Sequence, residues 1–394
     1  MPRLTLPCAA AVALLMGLPS AGPMAAPRLP TDDAQVLERL PTDPRAGELR
    51  ALRQRVAQQP GDATAAVALA RAWFDRAAAD GDPRFVGYAQ AALAPWWTEP
   101  APPPEVRVMR ALVLQFTHRF EAALADLRAA AQAQPDNGEA WSWQAAIHMV
   151  EARYDDARTA CIRLAPLATP LIATACLAQV DAATGRAATA TAALDAALRA
   201  AAQADPAEQL WALTRLAETE ALRGQPARAE AAFRRALALG LPDVYLLAAY
   251  ADFLLDQGRA AQVMTLLAAH ERSDLLLLRL ALAARTLSAP AAPRLQAAVN
   301  ARLDAARLRA DTLHQKEEAR WLLAEGRDLP RALTLARENW QLQREAADAR
   351  VLLEAALAAR QPAAAAPVLQ WLAASGHEGV VLRRLAARLQ AGGT

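Results

Sequence analysis

Alanine returns along this chain at a long, nearly constant interval. Ala111, Ala145, Ala178, Ala217 and Ala251 stand 34, 33, 39 and 34 residues apart. Twelve residues after each comes a second small residue: Ala123, Ala157, Ala190, Ala229 and Val263. Between the two lies a short turn: Thr117-His118, Glu151-Ala152, Thr184-Gly185, Arg223-Gly224 and Gln257-Gly258. The pattern predicts two helices that cross where one small residue of each faces the other, because a bulky side chain there would hold them apart. Leu127, Cys161, Leu194, Phe233 and Leu267 are then expected to fill the space behind the crossings. One such pair leaves an apolar face uncovered, so neighbouring pairs are expected to stack.

The second helix keeps a tighter pattern, Ala123-x3-Leu127-x2-Ala130-x4-Pro135, repeated as Ala190-x3-Leu194-x2-Ala197 and Ala229-x3-Phe233-x2-Ala236. Trp141 opens the unit that contains Ala145. At these residues the sequence resembles the tetratricopeptide repeat family, although the Leu-Gly pair of that motif is mostly lost. The resemblance implies an all-α, right-handed superhelical solenoid of antiparallel helix pairs with a concave inner face. Its repeats cover 60–277, starting with a degenerate unit from Asp62 to Trp97 whose inter-helix loop is expected to be long, Ala77 to Pro83. Residues 278–310 read as an irregular helical connector, because Ser288 to Pro293 breaks the pattern. Repeats resume over 311–394, with turns at Gly326 and Arg360-Gln361-Pro362 and a capping helix in which Leu382 and Leu389 alternate with Arg383, Arg384 and Arg388. That polar cap argues against self-association through an end face. The Pro-rich run Ala94 to Pro104 reads as a stiff connector, with Trp96 and Trp97 packed on the next repeat.

Residues 1–26 have the order of a secretory signal peptide. Arg3 precedes an apolar run of about 15 residues from Leu4 to Leu18, which is shorter than a spanning helix requires, and small residues up to Ala26 follow. Residues 27–59 form a leader-proximal segment and a first helix. The chain is therefore expected to be exported or periplasmic, with inner-membrane anchoring by an uncleaved leader as the alternative. No later stretch is apolar and long enough to span.

The remaining composition narrows the function. The 394 residues carry 43 basic and 41 acidic side chains, a formal charge of +2, with no Arg-rich run. A nucleic-acid footprint is not supported. Lys316 is the only lysine. Beyond Cys8 in the leader, Cys161 and Cys176 match no zinc spacing. One disulfide and two buried thiols are both open readings. No G-x-S-x-G elbow, G-x-G-x-x-G, GK[ST] loop or H-E-x-x-H motif is present. No catalytic residue, cofactor or metal is expected.

A groove remains. In the family, partner segments lie against the first helix of each pair. Carrying that inward spacing onto this chain selects Glu105, Leu112, Phe116, Glu139, Met149, Trp211, Glu218, Tyr245 and Asp252, together with Ser142, Gln179 and Leu222. Members that hold acidic tails use Lys, Arg and Asn there, and this set has none. An apolar or basic segment of another protein of the cell envelope is the expected partner, and the chain reads as a non-enzymatic scaffold or adaptor. Charge reversal at Glu218 or Asp252 is expected to weaken binding without unfolding. The rival reading is a metal-handling or enzymatic protein using His314, Glu317, Glu318, His377 and Glu378.

Overall fold

Every pair after the first is closed by the same turn. At the end of its first helix one residue takes a positive φ, and the next N–H reaches back to a carbonyl five residues earlier. Arg119 donates to Leu114 O (2.9 Å), Arg153 to His148 O (2.8 Å) and Arg259 to Leu254 O (2.8 Å). This Schellman arrangement satisfies carbonyls that a helix end otherwise leaves open. Glycine takes the left-handed position at Gly185, Gly224, Gly258 and Gly326, whereas His118, Ala152, Ser288 and Arg360 adopt it without one. The seven expected turns are therefore all present, three of them without the glycine that usually marks them.

A computed structural model describes residues 32, 34–36, 46–309 and 313–391; the signal-like leader and Cys8 lie outside the described residues. In the short first unit Asp32 forms a turn, its side chain accepting from Ala34 N–H. The large unit, 47–394, holds the repeats. Among the described residues it is all-helical. After α1 (Ala46–Gln58) come nine pairs: α2/α3 (Ala63–Asp80, Arg84–Ala92), α4/α5 (Pro104–Phe116, Phe120–Ala133), α6/α7 (Gly138–Val150, Tyr154–Leu164), α8/α9 (Pro170–Ala183, Ala187–Ala200), α10/α11 (Pro206–Leu222, Pro226–Leu237), α12/α13 (Val244–Asp256, Ala260–Leu266), α14/α15 (Asp274–Thr286, Ala292–Leu308), α16/α17 (Gln315–Glu325, Leu329–Leu342) and α18/α19 (Ala346–Ala358, Ala366–Ser375). The final helix, α20 (Val380–Ala391), buries Leu382, Leu385 and Leu389 and exposes its arginines, as a cap should.

The crossing residues are buried as the period requires, and so are the large residues behind them. Two expectations fail. The loop of the first unit is short, because α2 runs on to Asp80 and turns at Gly81. Residues 278–310 are no irregular connector: α14 and α15 form a regular pair, with Ser288 as its left-handed turn residue and Pro293 in the first turn of α15. The break in pattern was a turn without glycine. The Pro-rich stretch after α3 is indeed a connector, and buried Arg110 of α4 holds it. Its guanidinium donates to the carbonyls of Trp96, Trp97 and Glu99 (2.9, 3.1 and 2.9 Å) and pairs with Asp126 (2.6 Å).

Cys161 on α7 and Cys176 on α8 are joined in a disulfide, Cα atoms 5.6 Å apart. Of the two open readings the bonded one holds. It ties the second helix of one pair to the first helix of the next.

The stack also closes on itself. Pairs five or six steps apart in the chain touch. The α2–α3 turn meets the starts of α12 and α14, so closely that a methyl group on Gly81 would lie 2.8 Å from Ser273 Cβ. Arg344 N–H, between α17 and α18, donates to Val150 O at the end of α6 (2.7 Å). Trp371 Nε1 donates to Tyr154 OH (3.0 Å). The Glu378 carboxylate accepts the N–H of Ala187, the first residue of α9 (2.9 Å), where a negative charge is favoured. Val380 covers the Gly224 turn.

Two stability predictions follow from this geometry. Gly81→Ala and Gly258→Ala both strain a left-handed position, but only Gly81 faces a neighbour. Urea denaturation is expected to show a loss of about 1 kcal/mol at Gly258 and roughly 2 kcal/mol or more at Gly81; equal losses would mean the closure contact carries no energy. Replacing both Cys161 and Cys176 by Ser opens a 15-residue cross-link and is expected to cost about 3 kcal/mol by the same measurement.

Candidate functional site

The first helices of successive pairs form the inner wall, and their charged side chains are spent on one another. On α10, Arg215 pairs with Glu218 (3.0 Å) and lays its guanidinium over the Tyr245 ring of α12 (4.7 Å). Tyr245 OH donates to Glu218 (2.6 Å). Farther along α12, Asp252 lies between Arg279 of α14 and Arg320 of α16, each at 2.6 Å. Burial alone would raise its pKa, but the two guanidinium charges outweigh that and hold it at about 2. Arg350 of α18 bridges Asp256 of α12 (2.7 Å) and Glu354 (2.8 Å). Lys316 of α16 pairs with fully buried Asp348 of α18 (3.1 Å), and Asp348 also accepts from Asn339 (2.9 Å) and the Glu345 N–H (2.9 Å). Burial pushes the Glu345 carboxyl above its ordinary range, reinforced by the neighbouring Asp348 charge.

Beside this wall opens a cavity of about 430 Å³. Phe116 and Phe120 line it at the α4–α5 turn, Leu275 and Leu278 from α14, and Val299 and Leu303 from α15. Polar groups enter from Asp82, His118, Asp243, Asp274, Arg302 and the stretch His314–Glu317. Tyr245 faces the same space and is 49% exposed. The volume falls in the range of small-ligand sites.

The residues selected from sequence are distributed unevenly around this site. Phe116 and Tyr245 line the cavity, Phe116 also packing edge-on against Phe74. Glu218 and Asp252 are committed to the ion pairs above. Glu139 pairs with Arg71 of α2 (2.6 Å). Met149 and Trp211 pack around the disulfide, and Ser142, Gln179 and Leu222 are half-buried. Glu105 is exposed at the start of α4. Leu112 is a correction: it is fully buried and offers nothing to a partner. Helix α4 is covered on nearly every side, with Val108 to Leu114 all buried, and a helix apolar around its whole circumference has no free face.

The rival set is not assembled either. His314 and Glu317 line the cavity, but Glu318 is buried against Arg331 (2.8 Å) and Arg307 (3.3 Å). His377 lies in the α19–α20 loop, stacked near Trp371, its Nδ1 accepting from Gly379 N–H and its pKa pushed down to about 4 by burial. Glu378 is bound to α9. Among the described residues no group of three His, Cys, Asp or Glu is placed to hold a metal ion. Sequence reasoning missed Asp243, Arg302 and Lys316 as lining residues. The lone lysine was the one visible signal.

No family model and no curated protein matches the chain. Solved structures similar to it are a chain of the APC/C hetero-tetramer Cut9-Hcn1 (14% identity, 84% of this chain, TM-score 0.49), a tetratricopeptide repeat protein from Parabacteroides merdae ATCC 43184 (12% identity, 64% of this chain and 90% of that one, TM-score 0.43) and the TPR domain of P58(IPK) (13% identity, 87% and 92%, TM-score 0.23). The chain spans 63% of the length of the Cut9-Hcn1 chain it matches. By its own pairs, turns and small-residue crossings the chain is an α-helical solenoid of stacked antiparallel helix pairs.

The ion pairs change what a charge reversal on the wall does. Asp252→Arg would put three cations together. It is expected to lower stability by roughly 3 kcal/mol in chemical denaturation, since removing one partner leaves buried charge uncompensated. Unchanged stability would mean that the wall charges are solvated.

Proposed function

We propose that the chain is a non-enzymatic interaction scaffold of the bacterial cell envelope that holds a segment of another envelope protein at its inner wall. One observation carries this: Tyr245, an aromatic side chain on the inner wall, is half exposed at the rim of an apolar-lined cavity while the charges around it are paired. Aromatic anchors next to a desolvated pocket dominate protein interfaces. A solenoid wall fixed by ion pairs loses little entropy when a partner docks. The buried disulfide between α7 and α8 suits an oxidising compartment, as does the signal-like order of residues 1–26.

A photo-crosslinking residue at Tyr245, in the full chain expressed in its native host, tests the reading. Crosslinks to one envelope protein are expected from position 245 and not from the exposed outer position Ile162. Identical products from both positions, or only cytoplasmic products, would overturn it. Mass spectrometry of the same bait is expected to find an N-terminus near residue 27; a soluble cytoplasmic bait retaining residues 1–26 would sink the export assignment.

A further inference from the structure

The cavity holds more negative charge than its cations can answer. Arg302 is consumed by Asp274 and by the carbonyls of Glu271 (2.6 Å) and Arg272 (3.0 Å). Lys316 is held by Asp348 and faces the carboxylates of Glu317 and Glu345 as well. Every cation of the lining therefore has its anion. The carboxylates do not match them one for one. Asp82 is neutralised by Arg84 and Asp274 by Arg302. Asp243 has only the Leu246 N–H that it accepts as the N-cap of α12 (2.7 Å), through Oδ1. Glu317 makes no hydrogen bond or ion pair among the described residues. His118, whose pKa burial pushes down, supplies no positive charge.

We propose that this cavity is a binding site for an alkylammonium or guanidinium group carried on an apolar stem, supplied by a Lys or Arg side chain of an extended partner segment. The cation would meet Glu317 and the free oxygen of Asp243. The stem would lie on Phe116, Leu275 and Leu278, beside the Tyr245 side chain. A carboxylate-bearing ligand is disfavoured, because it would need a free cation and the lining has none. The source of the cation in a partner segment rests on the scaffold reading; the charge preference of the cavity does not.

Isothermal titration of the full chain tests it with four probes: acetyl-Leu-Arg-Leu-amide, the same peptide with citrulline for Arg, the same with Glu for Arg, and hexylammonium. The Arg peptide is expected to bind at least about tenfold tighter than the citrulline and Glu peptides, the size of one charge-assisted hydrogen bond. Glu317→Gln is expected to remove that preference while leaving citrulline-peptide binding and the melting temperature unchanged. Asp243→Asn keeps a capping oxygen and is expected to weaken the Arg peptide several-fold. Equal binding of the three peptides, no peptide binding at millimolar concentration, or an Arg preference that survives both substitutions would overturn the proposal. Hexylammonium binding without Arg-peptide binding would overturn the peptide source in favour of a free amine. Arg-peptide binding with no envelope crosslink at position 245 would retain the cavity chemistry and remove the scaffold reading.

Discussion

The structure depends on how near two helices can come. A small residue at both members of each crossing, alanine in all but Val263, lets paired helices approach until the larger residues behind them interlock, as Leu127, Leu194 and Phe233 do, all essentially without solvent contact. The repeat of that one spacing turns each pair by a similar amount against the last. The accumulated rotation brings pairs five or six steps apart into contact, Gly81 against Ser273 and Glu378 against the start of α9. A bulkier residue at the crossings would change the rotation and separate those contacts, so the closed form follows from the local packing.

Closure changes the inner face. In an open solenoid the charges of that face meet water. Here charged groups of α12, α14, α16 and α18 pack against one another, and Asp252, Asp348 and Glu345 lose much of their hydration. The wall answers with paired guanidinium groups, of which Asp252 between Arg279 and Arg320 is the clearest example. Arginine suits this role, since its planar donors reach two acceptors at once. A buried network of this kind gives position more than stability, and it fixes the orientation of Tyr245 through Glu218 and Arg215.

These two levels differ in how far the sequence exposes them. The crossings were legible because they recur at a constant interval and rest on contacts within one pair. The turns at His118, Ala152 and Ser288 were weaker signals, and the third misled, because a left-handed residue without glycine looks like a break. The closure was not legible at all: Trp371 meets Tyr154 across 217 residues, and no periodicity records such a distance. For the same reason Glu218 and Asp252 appeared free in the sequence and are paired in the structure, while Leu112 appeared to face a groove and lies in the core. Phe116 and Tyr245 kept their inward positions because they line the cavity.

The chemistry of the cavity lining is itself informative. A cavity of about 430 Å³ with a wholly apolar lining would cost its owner dispersion contacts for no return. This one carries carboxylates in excess of cations, and such groups are stable there only with water or a ligand against them. Lys316, the only lysine among 43 basic residues, stands at its edge. An ammonium is a compact, strongly hydrated charge on a flexible stem, whereas a guanidinium is a wide planar fork. At Lys316 the compact group fits between Asp348 and the cavity without bridging to Glu317. An arginine in its place would bring a second set of donors toward Glu317 and leave Asp243 as the unanswered carboxylate of the lining.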